Sequence, residues 1–281
     1  MLADLEGRVA VITGGGSGIG AALARACAAS GMKVVVADVN EDRAEEIAES
    51  IAPSASAVLA VAVDVADPSS VDRFADTVDN AFGAPHLLCN NAGVSPLGLI
   101  WEFAPADWEW ILGVNVLGVA NCIRSFVPRM IARGGRAHIV NTASAAAFAP
   151  AARLGAYSAT KHAVLGLSDA LRMDLVPHGI GVSVLCPGGV NTNIVQTLTR
   201  VSSDDPQKDL AADLEVFMVS NDDAFNVPIE PDRVAELVLQ GVREDASYIV
   251  TAPGAKSVVA QRFDAILAAH DRARAIDPTL P

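Results

Sequence analysis

The sequence predicts an α/β fold: a doubly wound parallel β-sheet flanked by helices, forming a single domain over residues 1–252 with a helical extension over 253–281. Three observations carry the prediction. Short apolar runs rich in β-branched residues alternate with helical stretches, the pattern of βαβ units. The first run passes directly into a glycine-rich turn and then an alanine-rich helix. Asp, Asn and Ser residues recur where the strands end, and in such sheets ligands bind beyond the carboxyl ends of the strands.

Val9–Ile12 is the first strand, apolar throughout as suits a strand covered on both faces. Thr13-Gly14-Gly15-Gly16-Ser17-Gly18-Ile19-Gly20 follows, then a helix from Ala21 to Ser30 closed by Gly31. Glycines let a backbone approach a pyrophosphate closely, and a helix N-terminus adds free N–H groups and a positive dipole end. A plain flexible turn is the competing reading, and the strand–turn–helix context weighs against it.

The second strand, Lys33–Ala37, ends at Asp38, where a carboxylate can accept hydrogen bonds from adenosine ribose hydroxyls and would repel a 2′-phosphate. No Lys or Arg stands in the glycine turn or at 37–42. Arg43 is expected on a solvated helix face with Glu41, Asp42, Glu45 and Glu46. NAD is therefore expected over NADP.

The third strand, Val58–Val63, runs into Asp64-Val65, and Asp67-Pro68 opens the next helix. The fourth, His86–Cys89, ends in Asn90-Asn91-Ala92-Gly93. Asp107 is expected to cap a long helix reaching about Ile131, with Asn115 in its apolar middle. Asparagine serves a helix interior poorly and a buried amide must find partners, so Asn115 invites a role. An asparagine merely satisfied by neighbouring backbone is the other reading. The fifth strand, Ala137–Asn141, runs into Thr142-Ala143-Ser144, and the sixth, Val182–Leu185, into Cys186-Pro187-Gly188-Gly189-Val190-Asn191-Thr192.

Between these last two strands lies Tyr157-Ser158-Ala159-Thr160-Lys161 at the start of a helix running to about Val176. Tyr157 and Lys161 are one helical turn apart and share a face. Free tyrosine has a pKa of about 10, and a neighbouring ammonium favours the phenolate, drawing that pKa toward the range of an acid–base catalyst. The pair alone proves nothing, because any helix can show it by chance. Ser144 lies at a strand end and Tyr157 at a helix entry, so both can face one substrate oxygen. His162 is expected off that face in a structural role, and Val164, Leu167, Leu171 and Leu175 form the packing stripe.

Composition excludes several classes. With 281 residues and 51% hydrophobic content there is material for one large core. The net charge of −13 argues against a nucleic-acid partner, which needs a basic face. No long uncharged apolar run predicts a membrane span, and Met1–Arg8 lack the pattern of a signal peptide, so a cytoplasmic location is expected. Cys27, Cys89, Cys122 and Cys186 have neither zinc-ligand nor redox-motif spacing and are expected reduced and buried, and the five histidines are scattered, so no metal site is expected.

Taken together, these motifs resemble the short-chain dehydrogenase/reductase family, in its single-domain Rossmann-type form, over roughly residues 5–252. The resemblance implies that Gly14, Ser17, Gly18, Ile19 and Gly20 shape the pyrophosphate turn and Asp38 takes the ribose. Asp64 and Val65 would hold the adenine, and Asn90, Asn91, Ala92 and Gly93 the wall beside the cofactor. Pro187, Gly188, Val190 and Thr192 would hold the nicotinamide end. It further implies a catalytic tetrad of Asn115, Ser144, Tyr157 and Lys161, with Lys161 also binding the nicotinamide ribose and Asn115 holding a water that links Lys161 to solvent. The activity implied is NAD-dependent interconversion of a secondary alcohol and its ketone, in a homotetramer or homodimer built through the two long helices.

Three other readings stay in view. A nucleotide-sugar epimerase or dehydratase would be longer, with a separate substrate domain. A carrier-bound 3-oxoacyl reductase would need a basic docking patch, for which Arg129, Arg133 and Arg136 are thin support. A non-catalytic NAD-binding sensor or scaffold would not need a complete tetrad.

The resemblance marks residues 193–228 as the substrate-covering loop, carrying Ile194, Val195, Leu198, Val201, Leu210, Leu214, Val216, Phe217, Met218, Val219 and Phe225, with turns expected at 204–206 and 221–223. Leu97, Leu99, Ile100, Trp101 and Ala145-Ala146-Ala147-Phe148 are expected to add apolar wall. No basic residue lies between Val201 and Gln207, and Lys208 has acidic neighbours, so a largely apolar alcohol or ketone is expected. The extension is expected to form an amphipathic helix with Val258, Val259, Phe263, Ile266 and Leu267 apolar, covering a subunit interface or the active-site mouth, or lying as a plain surface helix.

Overall fold

The chain's apolar runs pair as seven parallel strands in the computed structural model, which describes residues 2–200, 202–203, 206–220 and 228–277. The strands are β1 (Val9–Thr13), β2 (Lys33–Asp38), β3 (Ala57–Ala62), β4 (Leu87–Asn90), β5 (Ala137–Thr142), β6 (Ile180–Cys186) and β7 (Tyr248–Val250), in the order β3-β2-β1-β4-β5-β6-β7. The helices are α1 (Gly18–Ala29), α2 (Glu41–Ile51), α3 (Pro68–Phe82), α4 (Pro105–Leu112), α5 (Gly118–Arg133), α6 (Gly155–Leu175), α7 (Pro206–Ser220), α8 (Pro231–Glu244) and α9 (Lys256–Ile276). The order reverses between β1 and β4, opening a crevice at their carboxyl ends.

Alternation along the central strands explains why both faces are apolar. Ala10, Ile12, Val34 and Val36 face one core with α1 and α8, while Val9, Val11, Val35 and Ala37 face the other with α3 and α5. In the second core Phe74 and Phe126 meet edge to face, centroids 5.3 Å apart, a contact contributing about 0.5–1.5 kcal/mol beyond area burial.

Two expectations change here. Asp107 does not cap the long helix: Ala104 holds that position, and Asp107, three residues on, accepts the Ala104 N–H at 2.9 Å. The helix is also not one α-helix. Residues Gly113–Leu117 form a π-turn, in which the Gly118 N–H reaches back to the Gly113 carbonyl. A single turn of this kind inside a helix often marks a functional position, and Asn115 sits at its centre. The run Pro105–Arg133 is long and apolar enough by composition to cross a bilayer, but Ile111, Val119, Cys122, Phe126 and Met130 are committed to the core. Two arginines of α5 are engaged as well: Arg129 pairs with Asp76 and Asp79, and Arg124 with Asp72, all on α3.

Candidate active site

Thr13, at the end of β1, ties the crevice together. Its hydroxyl accepts the N–H groups of Asn91 (3.0 Å) and Ala92 (3.2 Å), fixing the end of β4 beside the glycine turn. The Asn91 amide donates to the Thr13 carbonyl at 3.1 Å. Two glycines of the turn adopt positive φ, 63° at Gly14 and 51° at Gly18, which suits no larger residue. At Gly20 the need is space: a Cβ there would stand 2.0 Å from the Gly14 carbonyl oxygen. Gly20 thus lies behind the turn and shapes it from below, while Gly14, Ser17, Gly18 and Ile19 line the cleft.

Asp38 is held on both oxygens, one accepting the Gly16 N–H at 2.9 Å and the other the Asn40 N–H at 3.0 Å. Arg43 departs from its expected place. It lines the cleft beside Asp38, and its guanidinium donates to Gln196 at 3.1 Å instead of lying on a purely solvated face. Asp64, Val65, Asn91, Ala92, Gly93, Pro187, Gly188, Val190 and Thr192 all line the same cleft. Asn90 does not: it is buried beneath the site and donates to Asn141 at 2.8 Å, so it braces β4 against β5 and forms no wall.

Tyr157, Ser144 and Lys161 meet at the cleft floor. The Lys161 ammonium lies 5.5 Å from the Tyr157 ring centroid and donates to the Thr142 carbonyl at 2.9 Å. Asn115 stands behind Gly93. A Cβ on Gly93 would be 3.3 Å from the Asn115 Oδ1 and 3.4 Å from the Lys161 Nζ. The Asn115 amide is fully partnered: it accepts the Val94 N–H (2.9 Å) and donates to the Val94 carbonyl (2.9 Å) and the Thr160 hydroxyl (3.0 Å). The Thr160 hydroxyl in turn donates to the Tyr157 carbonyl at 2.7 Å. The π-turn is thereby hydrogen-bonded to the second turn of α6 and, through Thr160, to Tyr157 in the first.

The electrostatics run against the sequence expectation for Tyr157. Burial pushes its phenol up to about 12, opposed by a hydrogen bond with Ser144, and Lys161 does not reverse the direction. Burial also brings Lys161 down to about 8. Both shifts have one cause, the cost of placing charge in a dry site. His162 is not among the residues lining the cleft: its ring nitrogens meet the Ser158 carbonyl (2.8 Å) and Arg262 of α9 (2.8 Å).

Beyond Tyr157 the cleft, about 800 Å³ in all, ends among apolar side chains: Leu97, Ala146, Ala149, Leu154, Leu198, Leu214 and Phe217. Several expected wall residues lie elsewhere. Trp101 is 76% exposed, Ile100 packs over Gly155, and Phe148 meets Tyr248 outside the cleft. Pro206 opens α7, but 204–205 and the turn at 221–223 lie outside the described residues, as do Val201, Phe225 and the side chains of Val195, Lys208, Met218 and Val219. Sequence reasoning missed Ser95, Trp110, Val114 and Thr197 as lining residues. None of them stands in a motif, so only the folded chain brings them in. No group of three or more His, Cys, Asp or Glu among the described residues is placed to hold a metal ion.

A parallel sheet with this strand order, a glycine turn at its switch point and a Tyr–Lys–Ser floor defines a dinucleotide-dependent oxidoreductase scaffold. The family profile for short chain dehydrogenase matches residues 8–202, and the chain belongs to the short-chain dehydrogenase/reductase family. Among its relatives, the C alpha-dehydrogenase of Sphingobium sp. strain SYK-6 is 36% identical over 94% of this chain and 87% of its own length. The 1-deoxy-11-beta-hydroxypentalenate dehydrogenase of Streptomyces exfoliatus is 43% identical over 69% of this chain and 72% of its own. A short-chain dehydrogenase/reductase from Burkholderia phymatum, crystallised with NAD, superposes with a TM-score of 0.85 at 37% identity, covering 94% of this chain and 96% of the other.

Proposed function

We propose that the protein is an NAD-dependent oxidoreductase that interconverts a largely apolar secondary alcohol and its ketone, with Tyr157 as acid–base. The observation that carries this reading is the single cleft running from Asp38, past Tyr157, Ser144 and Lys161, into an apolar end. The chain's residues fit the dinucleotide: Gly14 and Gly18 adopt positive φ and pack so tightly on Ala92 and Thr192 that a Cβ would come within 2.9 Å, Asp38 offers a carboxylate at the end of β2, and among the described residues the buried Thr142 hydroxyl in the cleft has no partner. Such a cofactor supplies a hydride acceptor and a positive ring charge when bound.

The rest is the work of the side chains. Ser144 donates a hydrogen bond to the substrate oxygen and stabilises the charge that develops there. Tyr157 removes the hydroxyl proton in oxidation and returns it in reduction. Lys161 offsets the burial cost of the Tyr157 phenolate, and Thr142 fixes its ammonium through the 2.9 Å hydrogen bond. Asn115 keeps Val94 and the π-turn in register behind Gly93. The cofactor is NAD on this reading because the fixed Asp38 carboxylate repels a 2′-phosphate and the guanidinium of Arg43, though in the cleft, is engaged by Gln196.

The apolar end favours a substrate with a bulky hydrocarbon frame. A carrier-bound substrate is less well supported, since Arg129 is already paired with α3. The test is a spectrophotometric screen in which purified protein and NAD receive small polyols, hydroxy acids, sugars, and terpenoid and steroid alcohols. NADH formation with the apolar secondary alcohols is expected. Preference for a sugar or a small charged hydroxy acid would overturn the reading.

A further inference from the structure

Arg153 is held against its backbone preference. Its φ is 65°, a region that costs a non-glycine residue about 1 kcal/mol or more and persists only where surrounding contacts impose it. Those contacts are visible. The Gly98 N–H donates to the Arg153 carbonyl at 3.0 Å, and the guanidinium reaches the Asp213 carboxylate at 3.3 Å. Both side chains are withdrawn from solvent, at 18% and 8% exposure. A buried ion pair adds little net stability, because desolvation offsets the attraction. It constrains geometry strongly, however, since separating the partners leaves a buried charge uncompensated.

The pair joins two walls of the same cleft. Arg153 lies just before α6 and is followed by Leu154, while Asp213 lies within α7 and is followed by Leu214, with Phe217 one turn on. Leu154, Leu214 and Phe217 line the apolar end. The upstream part of the loop is fastened separately: Asp107 accepts the Ser202 N–H at 2.9 Å and also the Ser202 hydroxyl, and the Thr197 hydroxyl accepts the Ser95 N–H at 3.0 Å. Loss of the Arg153–Asp213 contact would therefore loosen α7 at this point without releasing the whole loop.

We propose that Arg153 and Asp213 are positioning residues that set the enzyme's preference for substrate bulk, by latching α7 so that Leu214 and Phe217 close on the substrate against Leu154. This rests on reading that end of the cleft as the substrate site. A bulky apolar alcohol touches the α7 wall and depends on the latch; a small one, confined to the neighbourhood of Tyr157, does not. When the binding-competent arrangement is only a fraction of the population, apparent affinity falls by that fraction.

The experiment compares wild type with Asp213→Asn and Asp213→Glu. Steady-state kinetics with NAD use one small and one bulky apolar secondary alcohol, and hydrogen exchange is followed across α7. Asp213→Asn is expected to raise KM for the bulky alcohol about tenfold, leaving its kcat and both constants for the small alcohol within about twofold. Exchange in α7 should rise by about the same factor, whereas Asp213→Glu, which keeps the carboxylate, should stay close to wild type in both. A folded Asp213→Asn protein with unchanged α7 exchange, or with KM raised equally for both alcohols, would overturn the proposal. If wild type oxidises no alcohol, the functional reading fails, and α7 exchange alone decides whether the latch exists.

Discussion

Tyr157 must lose a proton in a place that opposes the loss. With burial pushing its phenol up to about 12, catalysis near neutral pH depends on what stands beside it: the Ser144 hydroxyl and the Lys161 ammonium. Tyr157→Phe is expected to cut turnover by about 10²–10⁴-fold while leaving NAD affinity within about twofold, as read by NADH formation and a fluorescence titration. Asp38→Ala with Val39→Arg should shift kcat/KM from NAD toward NADP by about tenfold or more, because a repulsive carboxylate is replaced by a phosphate partner at an exposed position. Equal use of NADP by the unmodified protein would contradict the role given to Asp38. A third residue governs acid stability. Burial brings His138 down to about 4 from 6.5, outweighing Asp245, which lies 3.8 Å from its Nδ1 and acts in the opposite direction. The unfolded chain thus binds this proton first. Stability contributed by neutral His138 is complete above pH 6.5 and is lost as pH falls toward 4, by roughly 3 kcal/mol. His138→Gln should flatten that part of a urea-denaturation pH profile; an unchanged slope would remove the assignment. Tyr157, Lys161, Ser144 and Asp38 were legible in the sequence because each stands at a fixed offset from a strand or helix end. Arg43, Arg153 and Asp213 were not, because long-range contacts place them.

Among the elements, the first six strands were the most legible, since β-branched apolar runs and strand-end polar residues are local signals, whereas β7 and the order of the strands rest on long-range pairing. The π-turn was hidden because a hydrogen bond across five residues leaves no distinct hydrophobic period. Asn115 stood out only as an amide in an apolar helix interior that must find partners, and Val94 and Thr160 provide them. The last helix raises the opposite question. α9 spans 21 residues without burying one of them, and Phe263, Ile266 and Leu267 are 51%, 45% and 61% exposed. Helices owe most of their stability to packing of an apolar face, so this face is expected to have a cover. Arg262 fastens the helix to α6 through His162 at 2.8 Å and to the Phe148 carbonyl at 3.0 Å. Truncation after Thr251 is expected to yield a smaller assembly by light scattering. An unchanged mass would show that α9 is not part of the subunit interface.

At the scale of the molecule, one cleft unites what the sequence presented as separated motifs. Strands β1, β2, β4, β5 and β6 deliver their carboxyl ends to it, and the loop carrying α7 closes its apolar end. The net charge of −13 and the lining of that end both disfavour an anionic substrate, while leaving the identity of the apolar one to experiment. Substrate was the least legible property because it is written in the walls of a loop and not in a motif. The most direct measurement is transfer of deuterium from the carbinol carbon of a bulky apolar secondary alcohol to NAD, followed by mass spectrometry of the NADH formed, in wild type and Tyr157→Phe. Deuterated NADH from wild type and a loss of about 10²-fold or more in the variant are predicted. Deuterium transfer that survives in Tyr157→Phe at the wild-type rate would contradict the account.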